Sequence, residues 1–270
     1  MKQDSVLITG AASGLGRVIA LSLSRPGATL ELGDRDSDGL AQTATGCRAR
    51  GAHVEARVID VTDGPAMADW IHEAARDRLD LVFACAGITG GVPPRDAEGA
   101  TYECADQVRA MMAVNLDGVL NTVLPAIAVM RRQARAHDGM RGRICAIASV
   151  AAVVSFPGTP SYCASKAAVD RFMVAQGSFL RDAGIRLTSV CCGFVDTPMV
   201  ASNRFPMPGL VSADDAARRI LRGVARGQRR VVFPRWLVAG SRLMDLLPIG
   251  IAELYYRRQP TGAPGTMTAL

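Results

Sequence analysis

Lysine is almost missing from this sequence. Of its 31 basic residues only Lys2 and Lys166 are lysines, so an interior lysine marks a place where a compact ammonium is wanted instead of a guanidinium fork. Histidine is scarce as well: His53, His72 and His137 lie far apart without acidic or cysteine companions at ligand spacing, which argues against a metal site. Aromatic residues make up 5% of the chain, and none interleave with the cluster Arg131, Arg132, Arg135, Arg141 and Arg143. A net charge of +6 permits an anionic partner, but without stacking side chains among the arginines no nucleic-acid partner is expected, and a solvated helix end accounts for the cluster. No run of eighteen apolar residues offers a membrane span. Met1-Lys2-Gln3-Asp4-Ser5 leads into a strand pattern without a signal peptide's hydrophobic region, so a cytoplasmic location is the expectation. The seven cysteines are odd in number and scattered among apolar neighbours, including the pair Cys191 and Cys192. They lack the spacing of a disulfide framework and read as reduced, mostly buried thiols.

What remains is a chain of 270 residues, 49% apolar and 21% charged, long enough for one large α/β sheet with a buried core. Short apolar or β-branched runs alternate with helical patterns: Val6 to Ile8, a helix from Gly14 to Ser24, then Ala28 to Leu32 as a first βαβ unit. Further strands are expected at Val54 to Ile59, Leu81 to Ala84, Ile144 to Ile147, Leu187 to Cys191 and Val231 to Phe233. Seven strands in this rhythm predict a doubly wound α/β fold, a parallel sheet with helices on both faces. Residues 1–258 read as a single domain, and 259–270 as a loose C-terminal tail rich in Gly, Pro and Thr.

The first strand ends in Thr9-Gly10-Ala11-Ala12-Ser13-Gly14-Leu15-Gly16. Glycines there let the backbone turn sharply and approach a pyrophosphate at the N-terminus of the next helix, so Gly10, Ser13, Gly14, Leu15 and Gly16 are candidate cofactor contacts. Asp34 closes the second strand where a carboxylate accepts from adenosine ribose hydroxyls and repels a 2′-phosphate. Arg35 follows and can instead pair with such a phosphate. With no basic residue in the turn before Gly14, NAD is favoured and NADP stays open. Asp60-Val61 and Cys85-Ala86-Gly87 close the third and fourth strands on the carboxyl edge, as floor and wall of the same crevice; Asp60 can equally cap the helix after Thr62.

In Ser161-Tyr162-Cys163-Ala164-Ser165-Lys166 the tyrosine and lysine are four apart, on one helix face. Ser149 ends a strand thirteen residues before Tyr162, and Asn115 sits polar within an apolar helical pattern. This order of motifs, from about Ser5 to Phe233, resembles the short-chain dehydrogenase/reductase family in its compact single-domain form, with a Rossmann fold. The resemblance implies that Tyr162 gives or takes the proton, Ser149 holds the substrate oxygen, Lys166 binds the nicotinamide ribose and Asn115 supports a water-linked proton path. It also implies that Val195 and Thr197 anchor the nicotinamide amide. The chemistry agrees: a phenol of pKa about 10 is too weakly acidic to act as a base at neutral pH unless an ammonium and the cationic nicotinamide favour its phenolate. Three positions depart from the family pattern. Cys192 replaces a proline, and Ala84-Cys85 replace asparagines, so slacker turns and a lost side-chain brace are expected there.

The resemblance implies a substrate lid in the segment 199–212, which carries one charge, Arg204. The apolar stretch 236–256 can cover the pocket, lie on a membrane surface or meet another subunit. The leading reading is an oxidoreductase that moves a hydride between NAD and a small secondary alcohol or ketone, and the resemblance implies a homodimer or homotetramer. The competing readings are an NADP-linked 3-oxoacyl-type reductase and a non-catalytic NAD-sensing regulator; an intact Ser149, Tyr162 and Lys166 set speaks against the last.

Overall fold

A computed structural model describes residues 5–92, 102–201, 206–245 and 250–251. Part of the segment expected as a lid, with Arg204, the stretch 259–270 expected as a tail, and much of 246–256 lie outside the described residues.

The chain runs β1 (Ser5–Thr9), α1 (Gly14–Leu23), β2 (Thr29–Asp34), α2 (Ser37–Arg48), β3 (His53–Val58), α3 (Gly64–Ala74) and β4 (Leu81–Ala84). It continues through α4 (Ala105–Met112), a π-helical turn (Ala113–Asp117), α5 (Gly118–Arg132), β5 (Gly142–Ile147), a 3-10 turn (Val150–Val153) and α6 (Pro160–Leu180). The last elements are β6 (Ile185–Cys192), β7 (Val195–Asp196), α7 (Pro198–Ala201), β8 (Val211–Ser212), α8 (Ala213–Ala225), β9 (Arg230–Phe233) and α9 (Arg235–Asp245).

Seven of these strands form one parallel sheet in the order β3-β2-β1-β4-β5-β6-β9, the doubly wound arrangement that the alternation of patterns predicts. The inner strands are covered on both faces, so they are largely apolar and their successive side chains enter two different cores, whereas the edge strand β3 is mostly exposed. Val6 and Ile8 of β1, Phe83 of β4 and Cys145 of β5 face the core under α1, α2 and α8. Leu7, Val82, Ala84, Ile144 and Ala146 face the one under α3, α5 and α6. The helical run Ala105–Arg132 is long and apolar enough to cross a bilayer by length and composition, but Val119, Val123, Ala126 and Met130 are buried in that second core.

A second sheet of two short strands, β7 with β8, was not visible as periodicity because each strand has two residues. It closes the base of the 199–212 segment through Val195 opposite Val211. Cys192 does not slacken its turn. It ends β6 in register with Phe233 of β9, and the amide of the following Gly193 donates to the Phe233 carbonyl at 2.8 Å.

Candidate active site

The strand order reverses between β1 and β4, and there, beyond their carboxyl ends, lies an open crevice. Gly10, Asp34, Asp60, Val61, Ala86 and Gly87 line it, with Arg35 at its rim. Ligands of open α/β sheets bind at such reversal points.

The glycines explain how the backbone comes so close. Gly10 has φ +69°, and a Cβ on it would lie 2.6 Å from the Ala86 nitrogen; a Cβ on Gly16 would collide with the Gly10 carbonyl oxygen. Gly14 is also left-handed, φ +50°. The N-terminus of α1, like those of α4 and α6, has no cap from its own N-cap side chain. Helices α2, α3 and α8 have side-chain caps from Asp36, Asp63 and Ser212, whereas Ser13 is extended and makes no capping bond, and the first turn holds no acid. A helix start with unpaired amides and a glycine cradle suits a pyrophosphate.

Asp34 is buried, and its two oxygens accept from the Ala12 amide at 2.9 Å and the Asp36 amide at 3.1 Å. The carboxylate is thus tied to the glycine turn while each oxygen keeps acceptor capacity for a diol. Arg35 is exposed beside it. Asp60 organises its own turn, accepting from both the amide and the hydroxyl of Thr62 at 2.8 Å, while Asp63 and not Asp60 caps α3. The brace expected to vanish with the asparagines comes instead from Thr9, whose hydroxyl accepts from the amides of Cys85 at 3.2 Å and Ala86 at 3.4 Å. In the sequence Thr9 stands out only as part of the turn, and its one signal is a hydroxyl at the end of a buried strand.

Asn115 is completely buried within the π-helical turn. Its side chain pairs with Ile88 in both directions, accepting from the amide at 2.8 Å and donating to the carbonyl at 2.9 Å, and it also reaches Ser165 Oγ at 3.3 Å. The widened turn is a common device for placing such a side chain. It joins the wall after Gly87 to the helix that carries the tyrosine.

Ser149, Tyr162 and Lys166 are brought together. Ser149 caps the 3-10 turn by accepting from the Ala151 amide at 3.1 Å, and its hydroxyl contacts the Tyr162 phenol. The Lys166 ammonium lies 5.7 Å from the centre of the Tyr162 ring and donates to the Ile147 carbonyl at 2.9 Å, leaving two donors for a ligand. A Cβ on Gly87 would lie 3.1 Å from Asn115 Oδ1 and 3.4 Å from Lys166 Nζ, so the crevice and the cluster of Ser149, Tyr162 and Lys166 share one wall. Burial, and then the neighbouring Cys192, push the phenol above its ordinary value, against the Ser149 bond. Burial lowers Lys166 to about 8. Burial also raises Cys85 to about 12 and Cys192 to about 11, so the thiols nearest the ammonium stay neutral. Further along, the Thr197 hydroxyl donates to the Val195 carbonyl at 3.2 Å, which orders the turn between β7 and α7.

A doubly wound sheet with a phosphate-shaped helix start and a tyrosine between a serine and a lysine defines a dinucleotide-dependent oxidoreductase. The comparisons agree. A family model described as short chain dehydrogenase matches residues 4–207. An uncharacterized oxidoreductase of Myxococcus xanthus is 33% identical over 263 residues, covering 96% of this chain and 98% of its own. The granaticin polyketide synthase putative ketoacyl reductase 1 of Streptomyces violaceoruber is 34% identical over 230 residues, covering 82% and 79%. The crystal structure of gox2181 superimposes with a TM-score of 0.73 at 20% identity, over 86% of this chain and 94% of that one, a likeness of fold. The chain belongs to the short-chain dehydrogenase/reductase family.

Proposed function

We propose that this oxidoreductase is an NAD-dependent dehydrogenase that interconverts small secondary alcohols and ketones in the cytoplasm. The observation that carries the reading is the Tyr162 phenol held between the Ser149 hydroxyl and the Lys166 ammonium at the edge of the crevice. The bound nicotinamide supplies the hydride acceptor for an alcohol, or the donor for a ketone. Ser149 binds the substrate oxygen and keeps it beside the phenol. Tyr162 then removes the hydroxyl proton from an alcohol or delivers one to a ketone. Lys166, largely protonated at neutral pH, holds ribose hydroxyls with its two remaining donors and stabilises the phenolate, and the neutral Cys85 and Cys192 do not offset its charge. Asn115 keeps Ile88 fixed, so a proton relay from Lys166 to solvent has a constant path. Val195 and Thr197 hold the amide of the ring. Gly10, Ser13, Gly14, Leu15 and Gly16 hold the pyrophosphate, and Asp60, Val61, Cys85, Ala86 and Gly87 the adenine and ribose walls.

Asp34 supports NAD, since its tethered carboxylate offers acceptors to a ribose diol and would repel a 2′-phosphate. Residues 1–258 act as one domain with 199–212 as the lid, hinged on β7 and β8, and the assembly is a homodimer or homotetramer. One second reading has specific support: Arg35 stands exposed at the rim, and the Streptomyces relative is named as a putative ketoacyl reductase, so an NADP-linked reductase of 3-oxoacyl carbonyls is the competitor. The test is a panel of secondary alcohols with NAD and ketones with NADH, each repeated with the phosphorylated cofactor, followed by nicotinamide absorbance. Turnover with NAD that disappears in Tyr162→Phe supports the reading; turnover with NADPH alone, on 3-oxoacyl substrates, favours the competitor.

A further inference from the structure

Asp170 is a buried carboxylate that the reaction does not use. It lies on α6 four residues after Lys166 and eight after Tyr162, so all three side chains project from adjoining positions on the helix face turned to the sheet. Its Oδ1 accepts from Ser189 Oγ at 2.8 Å, from Arg230 Nε at 2.8 Å and from the Cys191 thiol at 3.4 Å, and its Oδ2 from the Arg230 terminal nitrogen at 2.6 Å. Two strands are thereby gripped at once, β6 through Ser189 and Cys191, and β9 through Arg230. The next residue on β6 is Cys192, whose carbonyl lies 3.5 Å from Ser149 Oγ. The strand held by Asp170 is therefore also the strand against which Ser149 rests.

A buried ion pair is a poor way to gain stability, because desolvation offsets most of its attraction, and an apolar side chain would fill the same volume. It does fix geometry, since a bidentate pair with two further donors tolerates little displacement. Resting on the reading of Tyr162 as acid/base, we propose that Asp170 is a positioning residue: by binding β6 and β9 together it sets where Tyr162 and Lys166 stand relative to Ser149, with Arg230 as its counter-ion.

The groups facing the Tyr162 phenol are Lys166 and Cys163 on its own helix, Cys192 on β6, and the Ser149 hydroxyl. Ring-carbon (ζ-13C) tyrosine NMR of the NAD-bound protein, assigned with Tyr162→Phe, reads the titration of that phenol directly. In Asp170→Asn the titration is expected to move up by about one pH unit as the phenol draws away from the Ser149 hydroxyl, whose bond lowers it, with the NADH dissociation constant changed less than threefold. Ser189→Ala, which keeps the ion pair, should shift it in the same direction by less, and serves if Asp170→Asn does not fold. Loss of the Asp170 charge alone would move the titration down, and a merely structural role would lower the melting temperature while leaving it unmoved; either result overturns the proposal. If the parent phenol shows no fall in titration on binding NAD, the acid/base reading itself fails and the positioning role falls with it.

Discussion

Lys166 holds its charge where water hardly reaches, 3% exposed and bonded to one carbonyl. Burial depresses its pKa from 10.5 to about 8, so the unfolded chain binds more protons than the folded one between those values, and stability rises with pH across that window. The penalty is complete below pH 8 and gone above 10.5. In the protein without cofactor, Lys166→Met should therefore be more stable at pH 7 by up to about 3 kcal/mol, and the gain should shrink steadily above pH 8, as read by chemical denaturation at each pH. Tyr162→Phe removes the hydroxyl proposed to carry the proton while keeping the ring, and turnover should fall by about a hundredfold to ten-thousandfold while NADH still binds. At this scale the four-residue spacing of Tyr162 and Lys166 was legible because helix periodicity makes neighbours of such positions. Thr9 and Asp170 were not, since their partners lie 76 and 60 residues away in sequence, and only the folded sheet joins them.

Helix α6 carries the tyrosine near its start, yet Thr159 gives it no side-chain cap. Glu103, preceding α4, supplies one instead by accepting from the Ser161 amide at 2.8 Å. Glu103→Ala should cost about 1 kcal/mol of stability, the ordinary worth of a cap, measured as a lowered urea midpoint. At the other crevice wall, Gly16→Ala puts a methyl group onto the Gly10 carbonyl; the turn must open, at about 1–3 kcal/mol, and NADH affinity measured by fluorescence should drop at least tenfold. The glycine spacing announced that turn, and the strand runs were placed within one or two residues. The π-helical turn around Asn115 was not foreseeable, because its residues share the apolar pattern of the flanking α-helices and only the pairing with Ile88 reveals why the helix widens.

Across the molecule, the sheet order and the crevice at its reversal follow from right-handed crossovers between parallel strands, which is why the fold could be read from the alternation of elements. The small second sheet follows from no such rule: β7 and β8 are two residues each, and their pairing depends on contacts between segments with no periodicity. Cofactor choice is a property of the whole crevice, where Asp34, tied to the glycine turn, competes with Arg35 at the rim. The most direct measurement is a titration of the protein with NADH and with NADPH, following nicotinamide fluorescence, on the parent and on Asp34→Ala. The account predicts tight NADH binding, much weaker NADPH binding, and a preference that relaxes by about tenfold or more in the variant as a charged hydrogen bond is lost. Binding of neither cofactor, or tighter binding of NADPH by the parent, would contradict it.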